Sequence, residues 1–169
     1  MKKQKENKNY DIRFGFGFDV HRLVEGRKLI IAGMEIKYKK GMLGHSDGDV
    51  VIHSICDSLL GAIGEGEIGM YFPPTDLTIM GISSVVIAEK IMDMIKKKKA
   101  VINQIDVTVV AEEPKLKPYY DDMEKSLSKI FKLDISQVNV KAKTMEGLGS
   151  IGRGEGIICY SVSSVKLLR

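Results

Sequence analysis

All three histidines of the chain lie in its first third, together with several aspartates. Asp19 and His21 are two residues apart, and residues at this spacing in a β-strand point to the same face. His53 follows at the edge of an apolar helical stripe. One carboxylate and two imidazoles suit a catalytic zinc ion, which keeps a fourth position open for substrate or water. We therefore predict a metal site at Asp19, His21 and His53, with a structural hydrogen-bond network as the alternative.

A second candidate feature is the segment His45–Asp49, which immediately precedes a predicted helix. The free N–H groups at the start of a helix bind anions, phosphate among them. Capping of the helix by Ser46 or Asp47 is the simpler interpretation, and the two roles are compatible. The glycine-rich segment 147–156, which includes Arg153, can also approach a phosphate closely. The residues alone thus predict a divalent-metal enzyme that acts on a small phosphate-bearing molecule.

The elements that must position these residues follow from the spacing of apolar side chains. Between residues 12 and 21 the even positions are apolar and the odd positions are small or polar. This alternation predicts a half-buried strand with Asp19 and His21 on its other face. Similar patterns predict strands at 28–36, 105–112, 138–144 and 157–167, with a bulge or turn at Gly33 in the first of these. They predict helices at 46–63, 83–98 and 119–133, and Ser83 or Ser84 can cap the second helix. Residues 37–44 and the glycine-rich segment 145–156 are predicted as loops.

Strands and helices are mixed without a strict strand–helix–strand alternation, which predicts an α+β fold. We expect one mixed sheet with helices on one face. A chain of 169 residues has little left to cover the opposite face of such a sheet. An oligomer would cover it, so we predict that the chain self-associates.

The composition narrows the class of protein. With 44% hydrophobic and 28% charged residues, the chain resembles an ordinary soluble domain, which we place at 12–169 after a flexible Lys-rich tail at 1–11. No apolar run reaches the roughly 20 residues of a membrane span. The net charge of +4 is small, and the Lys96–Lys99 run lacks interleaved aromatic residues, so we expect no nucleic-acid partner. Cys56 and Cys159 lie in apolar runs and predict buried thiols in a reducing, cytoplasmic setting.

Five segments, taken in order, resemble the 2-C-methyl-D-erythritol 2,4-cyclodiphosphate synthase family, and the similarity extends from about Ile12 to the C-terminus. The segments are Gly17–His21, His45–Asp49, Ile68–Gly69 with Phe72–Asp76, Val140–Thr144 and Gly152–Gly156. The resemblance implies a four-stranded mixed sheet plus a β-hairpin, with helices on one face. It also implies a homotrimer with its sheets facing inward around the threefold axis and active sites between subunits.

The resemblance assigns roles to individual residues. It implies zinc at Asp19, His21 and His53, and a second cation, magnesium or manganese, near Glu146. It implies catalytic roles for His45 and Thr144 in stabilising the transition state. The positions that it assigns to substrate binding are Ser46, Glu67, Ile68, Gly69, Phe72, Thr75, Asp76, Ala111, Pro114, Lys115, Leu116, Lys143, Met145 and Arg153.

The reaction implied is intramolecular phosphoryl transfer. In the family, the 2-phosphate of a CDP-linked methylerythritol attacks the β-phosphate of its own diphosphate, which releases CMP and closes a cyclodiphosphate in the non-mevalonate route to isoprenoids. Two alternatives remain open from the residues. One is a zinc-dependent phosphohydrolase, which would release free phosphate. The other is a non-catalytic trimer that binds isoprenoid phosphates in a central cavity.

Overall fold

The computed structural model describes residues 10–73, 75–76 and 79–168. Its first strand, β1, comprises Tyr10–Glu25 and begins two residues before the strand that we predicted. The strand therefore takes in Tyr10 and Asp11, which we had assigned to the tail. The rest of the predicted tail lies outside the described residues.

The other predicted helices and strands are present. The observed elements are β2 (Leu29–Ile31), β3 (Met34–Ile36), β4 (Lys40–Met42), α1 (Val50–Ile63), α2 (Ser84–Lys97), β5 (Ala100–Val110), α3 (Tyr120–Ile130), β6 (Val138–Lys143), α4 (Gly149–Gly152) and β7 (Gly156–Leu168). Strand β4 and the four-residue helix α4 lie in segments that the sequence predicted as loops. The segment predicted as one strand at 28–36 is the hairpin β2–β3, and its turn lies at the predicted position, Gly33. Ala32 and Gly33 form its turn with φ values of 56° and 74°, and Gly33 adopts this left-handed conformation without strain.

The described strands form one five-stranded sheet, in the order β4-β1-β7-β5-β6, and a separate two-stranded hairpin of β2 and β3. Strands β5 and β6 are parallel, whereas the other neighbours in the sheet are antiparallel. The expected four-stranded sheet was therefore short by one strand, β4, in a segment that we had predicted as a loop. Gly41 permits this strand, because a Cβ there would overlap the carbonyl group of Lys28. A strand of three residues is too short to show a period in the sequence.

Helix α1 packs directly across β1 and β7. Two glycines of β1 allow the close approach: a Cβ on Gly15 would overlap the carbonyl oxygen of Ser58, and one on Gly17 would overlap that of Ser54. The small and polar face of β1 is therefore the one that meets the helix. The apolar face points the other way, and Phe14 and Phe16 are 71% and 65% exposed in this chain. The two-faced strand is confirmed, but its apolar residues are not in the core of the chain.

The core lies between the sheet and the helices. Ile52, Ile55 and Leu59 of α1 are fully buried, as are Met123 and Leu127 of α3. Cys56 and Cys159 are both free thiols buried in this layer, as predicted, and burial raises the pKa of each thiol well above its ordinary value. Among the described residues, no helix combines the length and apolar character needed to cross a bilayer.

Candidate active site

The three predicted metal ligands meet where the first turns of α1 cross β1. His21 Nε2 and His53 Nδ1 each lie 3.0 Å from Oδ2 of Asp19, and the two nitrogens are 3.1 Å apart. The candidate ligand atoms all lie within 4.8 Å of one another. One carboxylate oxygen and two imidazole nitrogens that converge on one point fit a zinc ion. The structure therefore joins the residues that the spacing predicted.

The electrostatics of this cluster favour an anionic ligand at Asp19. Burial by itself would raise the pKa of Asp19, but the hydrogen bonds with His21 and His53, together with the charges of these rings, hold it well below its usual range. Burial likewise opposes the protonation of His21, yet the hydrogen bond with Asp19 raises the pKa of this imidazole above its usual value. The carboxylate is thus ionised at neutral pH, and a metal ion at this site must compete with a proton for His21.

The position of His53 depends on the start of α1. Asp49 is the N-cap of this helix and accepts hydrogen bonds from Val51 N and Ile52 N at 3.0 and 3.1 Å. The same fully buried carboxyl group accepts from Ala32 N and Gly33 N in the hairpin turn, at 3.0 and 2.6 Å. One side chain thus ties the hairpin to the helix that carries His53.

A cavity of about 140 Å³ opens beside the three ligands. It is polar on the side of the histidines and apolar on the opposite side. The lining residues are His21, His45, Ser46, His53, Ile68, Phe72, Ile79, Ile82 and Ile87. Four positions that the resemblance assigned to catalysis or substrate, His45, Ser46, Ile68 and Phe72, therefore lie next to the metal ligands.

The loop after α1 carries the other assigned residues on this side of the molecule. Its backbone is anchored by Ile68 N, which donates to Oδ1 of Asp57 at 2.8 Å. Glu67, Thr75 and Asp76 are exposed and Gly69 is half-buried, and none of the four lines the cavity in this conformation. These residues form the outer edge of the site.

A second cluster of assigned residues lies at the ends of β5 and β6. Ala111 N donates to the carbonyl group of Lys143 at 3.0 Å, and Glu112 accepts from Met145 N at 3.2 Å. These contacts hold the segment with Pro114, Lys115 and Leu116 beside the segment with Thr144 and Glu146. In the second segment, Oγ1 of Thr144 donates to Oε1 of Glu146 at 3.1 Å. The structure thus places side by side two segments that both carry residues assigned to substrate binding by the resemblance.

The two clusters are separate within one chain. In the sheet register Asp19 lies opposite Cys159, Cys159 opposite Val109, and Val109 opposite Ala142. Three strand spacings of about 4.8 Å separate Asp19 from the end of β6 by about 14 Å. Arg153 lies in a third place, exposed in the turn before β7, with Nε 2.6 Å from Oε1 of Glu155. The residues assigned to one site by resemblance therefore do not form one site in a single chain.

The sequence of the whole domain matches a known family. A model of the YgbB family matches residues 12–166. The chain belongs to the YgbB family. It is 49% identical over 154 residues to the 2-C-methyl-D-erythritol 2,4-cyclodiphosphate synthase of Alkaliphilus metalliredigens, an alignment that covers 91% of this chain and 97% of the relative. The protein of the same name from Bacillus subtilis is 51% identical over 145 residues, 86% of this chain and 92% of that relative.

Solved structures support the same assignment of this YgbB-family chain. IspF from Plasmodium falciparum, in a complex with CDP, superposes with a TM-score of 0.82 at 34% identity and covers 94% of this chain and 97% of that one. The bifunctional IspDF of Campylobacter jejuni superposes with a TM-score of 0.90 at 38% identity. The superposition covers 95% of this chain but only 43% of that longer protein. The resemblance to cyclodiphosphate synthases is confirmed.

Two polar side chains of this YgbB-family site were not predicted as site residues. Oγ of Ser84 lies 2.9 Å from Nε2 of His53, and the same hydroxyl group is hydrogen-bonded to the carboxylate of Asp47. We had considered Ser83 and Ser84 only as caps of α2, and Ser83 is the residue that caps, with Val85 N 3.3 Å from its Oγ. The signal in the sequence is the serine pair itself, since one N-cap position requires one serine.

Proposed function

We propose that this chain converts 4-diphosphocytidyl-2-C-methyl-D-erythritol 2-phosphate into 2-C-methyl-D-erythritol 2,4-cyclodiphosphate and CMP, as a phosphorus–oxygen lyase of the non-mevalonate isoprenoid pathway. The observation that carries the proposal is the Asp19–His21–His53 cluster beside a cavity, in a chain about half identical to proteins of that name. The two free thiols support a cytoplasmic location for the reaction.

Zinc held by Asp19, His21 and His53 would supply positive charge that polarises a phosphate oxygen. His45 and Ser46, which line the adjoining cavity, offer an imidazole and a hydroxyl group as donors to the same phosphate. The reaction needs the attacking and leaving oxygens in line and their charge neutralised, and little else from the protein. No general base is required, because a phosphate oxygen is already anionic at neutral pH.

The second cluster is proposed to bind the nucleotide and the second cation. Glu146, which is exposed at the end of β6, would hold magnesium or manganese together with the substrate phosphates. Its neighbour Thr144 would donate a hydrogen bond to the charge that develops on phosphorus. Ala111 and Leu116 are buried, so these positions would contact the cytosine through their backbone groups. Pro114, Lys115, Lys143, Met145, Arg153 and the outer-edge residues Glu67, Ile68, Gly69, Phe72, Thr75 and Asp76 would complete the substrate contacts.

We infer a homotrimer from the exposed face of the sheet. Aromatic and aliphatic side chains of β1 and β7 form one apolar surface, in which Phe16 and Phe18 both contact Tyr160. Its members are Ile12, Phe14, Phe16, Phe18, Val20, Tyr160 and Val162. Apolar surfaces of this kind mark association sites. Three chains with these faces inward would bring the second cluster of one chain to the metal ligands of its neighbour.

A product assay tests the activity. The purified protein is incubated with the CDP-linked substrate, zinc and magnesium, and the products are followed by phosphorus NMR. We expect CMP and a cyclic diphosphate with no inorganic phosphate, and no turnover from His53→Ala. Free phosphate would identify a phosphohydrolase. A lack of turnover, with phosphate-ligand binding unchanged in His53→Ala, would favour the non-catalytic binder.

Mixing two inactive variants tests the shared site. His53→Ala removes a metal ligand and Glu146→Ala damages the second cluster. If both clusters of a site come from one chain, unfolding and refolding the two variants together restores nothing. If neighbouring chains share each site, about one quarter of the sites in random trimers are intact, and activity returns to about that level. Refolding each variant alone is the control.

A further inference from the structure

A chain of hydrogen bonds runs from Asp47 through Ser84 to His53. Ser84 is completely buried at the first position of α2. Its Oγ lies 2.9 Å from Nε2 of His53 and is also bonded to Oδ1 of Asp47. Its backbone N–H donates to Oδ2 of the same carboxylate at 3.0 Å. Ser84 thus bridges the loop before α1 and the side chain of a metal ligand.

The donors and acceptors in this series of hydrogen bonds indicate which group donates at each step. Both oxygens of Asp47 accept from backbone N–H groups, of Ser84 at 3.0 Å and of Asp49 at 3.3 Å, so this carboxyl group acts as an acceptor on both sides. The hydroxyl group of Ser84 must then donate to Asp47, and its lone pairs face His53. Only an N–H on Nε2 of His53 can complete the contact. With this proton in place, Nδ1 is the ring nitrogen that would bind a metal ion, in place of the hydrogen bond that it makes with Oδ2 of Asp19 at 3.0 Å.

We propose that Ser84 is a positioning residue of the metal centre: together with Asp47 it holds His53 in the tautomer and ring orientation whose Nδ1 faces the metal position. The proposal rests on the proposed function, because it assumes that the Asp19–His21–His53 cluster binds a metal ion. Partners of this kind fix the orientation of ligating histidines and raise their basicity, and losing one typically weakens metal binding by about 10–100-fold.

The proton on Nε2 of His53 also affects Ser46, which lines the cavity beside the metal ligands. Oγ of Ser46 lies 3.1 Å from Nε2 of His53 and accepts from Gly48 N at 3.0 Å. Since Nε2 has one proton, which it shares between Ser84 and Ser46, the hydroxyl group of Ser46 accepts both from Nε2 and from Gly48 N. Its own proton is then available to an anion in the cavity that Ser46 lines. The Asp47–Ser84 pair therefore orients a metal ligand and a phosphate donor together.

Backbone hydrogen bonds also join the two segments that carry these groups. Its backbone N–H donates to the carbonyl group of Ile82 at 3.0 Å, and Gly81 N donates to the carbonyl group of His45 at 2.6 Å. The segment before α2 is thus bound to the His45–Asp49 loop by backbone as well as by side chain. This attachment explains why a residue 31 positions after His53 can orient its ring.

Zinc affinity and the tautomer of His53 test the proposal in Ser84→Ala. Competition with a chromophoric chelator should show at least tenfold weaker zinc binding than in the wild type. Imidazole ¹⁵N NMR on zinc-loaded protein should show His53 with zinc on Nδ1 and a proton on Nε2 in the wild type, and a mixture of Nδ1-bound and Nε2-bound forms in the variant. Ser83→Ala is the matched control: it removes the cap of the same helix, lowers the melting temperature and leaves zinc affinity unchanged.

Asp47→Asn tests the same link without removing Ser84 and keeps the proposal testable if Ser84→Ala does not fold. It should also weaken zinc binding. The double variant should lose less zinc affinity than the product of the two single losses, because both changes interrupt the same series of hydrogen bonds. Wild-type zinc affinity in folded Ser84→Ala, or full additivity in the double variant, would overturn the proposal. A wild-type protein that binds no zinc would instead overturn the metal site of the proposed function, and this inference with it.

Discussion

At the scale of single residues, Asp19 is the group that decides the chemistry of the cluster. Its Oδ2 is within 3.0 Å of both imidazoles, and its pKa is held below the usual range although it is partly buried. The hydrogen bond that keeps Asp19 ionised also raises the pKa of His21 above its usual value. A proton on His21 and a metal ion therefore compete for the same nitrogen.

This competition predicts how zinc affinity depends on pH. A raised pKa means that His21 holds its proton to a higher pH, so the apparent zinc affinity should fall as the pH is lowered through and below that pKa. The loss should approach about tenfold per pH unit for each imidazole that is protonated. Chelator competition between pH 8 and pH 5.5 measures it. An affinity that does not change over this range would contradict the metal assignment of His21.

At the scale of elements, the contact between α1 and β1 sets the geometry of the cluster. His53 comes from the helix and the other two ligands come from the strand, so the spacing between the elements fixes the spacing of the ligands. Gly15 and Gly17 leave no room for a side chain under α1. The cluster therefore depends on two residues that have no functional groups.

Gly17→Ala should both destabilise the fold and damage the metal site. The added methyl group meets the backbone of Ser54 and must push α1 away, at a cost of about 3 kcal/mol in unfolding free energy. Urea unfolding in EDTA measures this loss, and chelator competition measures zinc binding. Gly61→Ala is the control, because its Cβ would lie an ordinary 3.9 Å from Gly15 and should add about 0.5–1 kcal/mol. Equal stability of Gly17→Ala and wild type would refute the close contact.

At the scale of the whole molecule, the apolar surface of β1 and β7 and the separation of the two clusters have one explanation. If neighbouring chains pack sheet to sheet, the apolar surface is buried and the second cluster of one chain can reach the candidate metal ligands of the next. The alternative of a monomer would leave Phe14, Phe16 and Phe18 in water.

Phe16→Glu should therefore dissociate the assembly. A charge in the centre of the apolar surface must be desolvated when chains associate, and its apolar neighbours offer no opposite charge or hydrogen bond to compensate this cost. Light scattering after size exclusion should give about three times the chain mass of 18.8 kDa for the wild type and a single chain for the variant. Val86→Glu changes an exposed apolar residue of α2 and should remain assembled. A wild-type monomer would remove the shared site.

The sequence by itself determined the three long helices, most of the strands, the free thiols and the three candidate metal ligands. These features depend on residues that are close together in sequence, such as those of a period-two strand, a helical stripe or a helix cap. Bringing Asp19, His21 and His53 together required only that one strand and one helix pack against each other. Strand β4, the exposure of the apolar face, the 14 Å gap between the clusters at a spacing of about 4.8 Å per strand and the link from Ser84 to His53 were decided by the tertiary structure. These features depend on strand order, register and contacts between residues far apart in sequence, which no local pattern encodes.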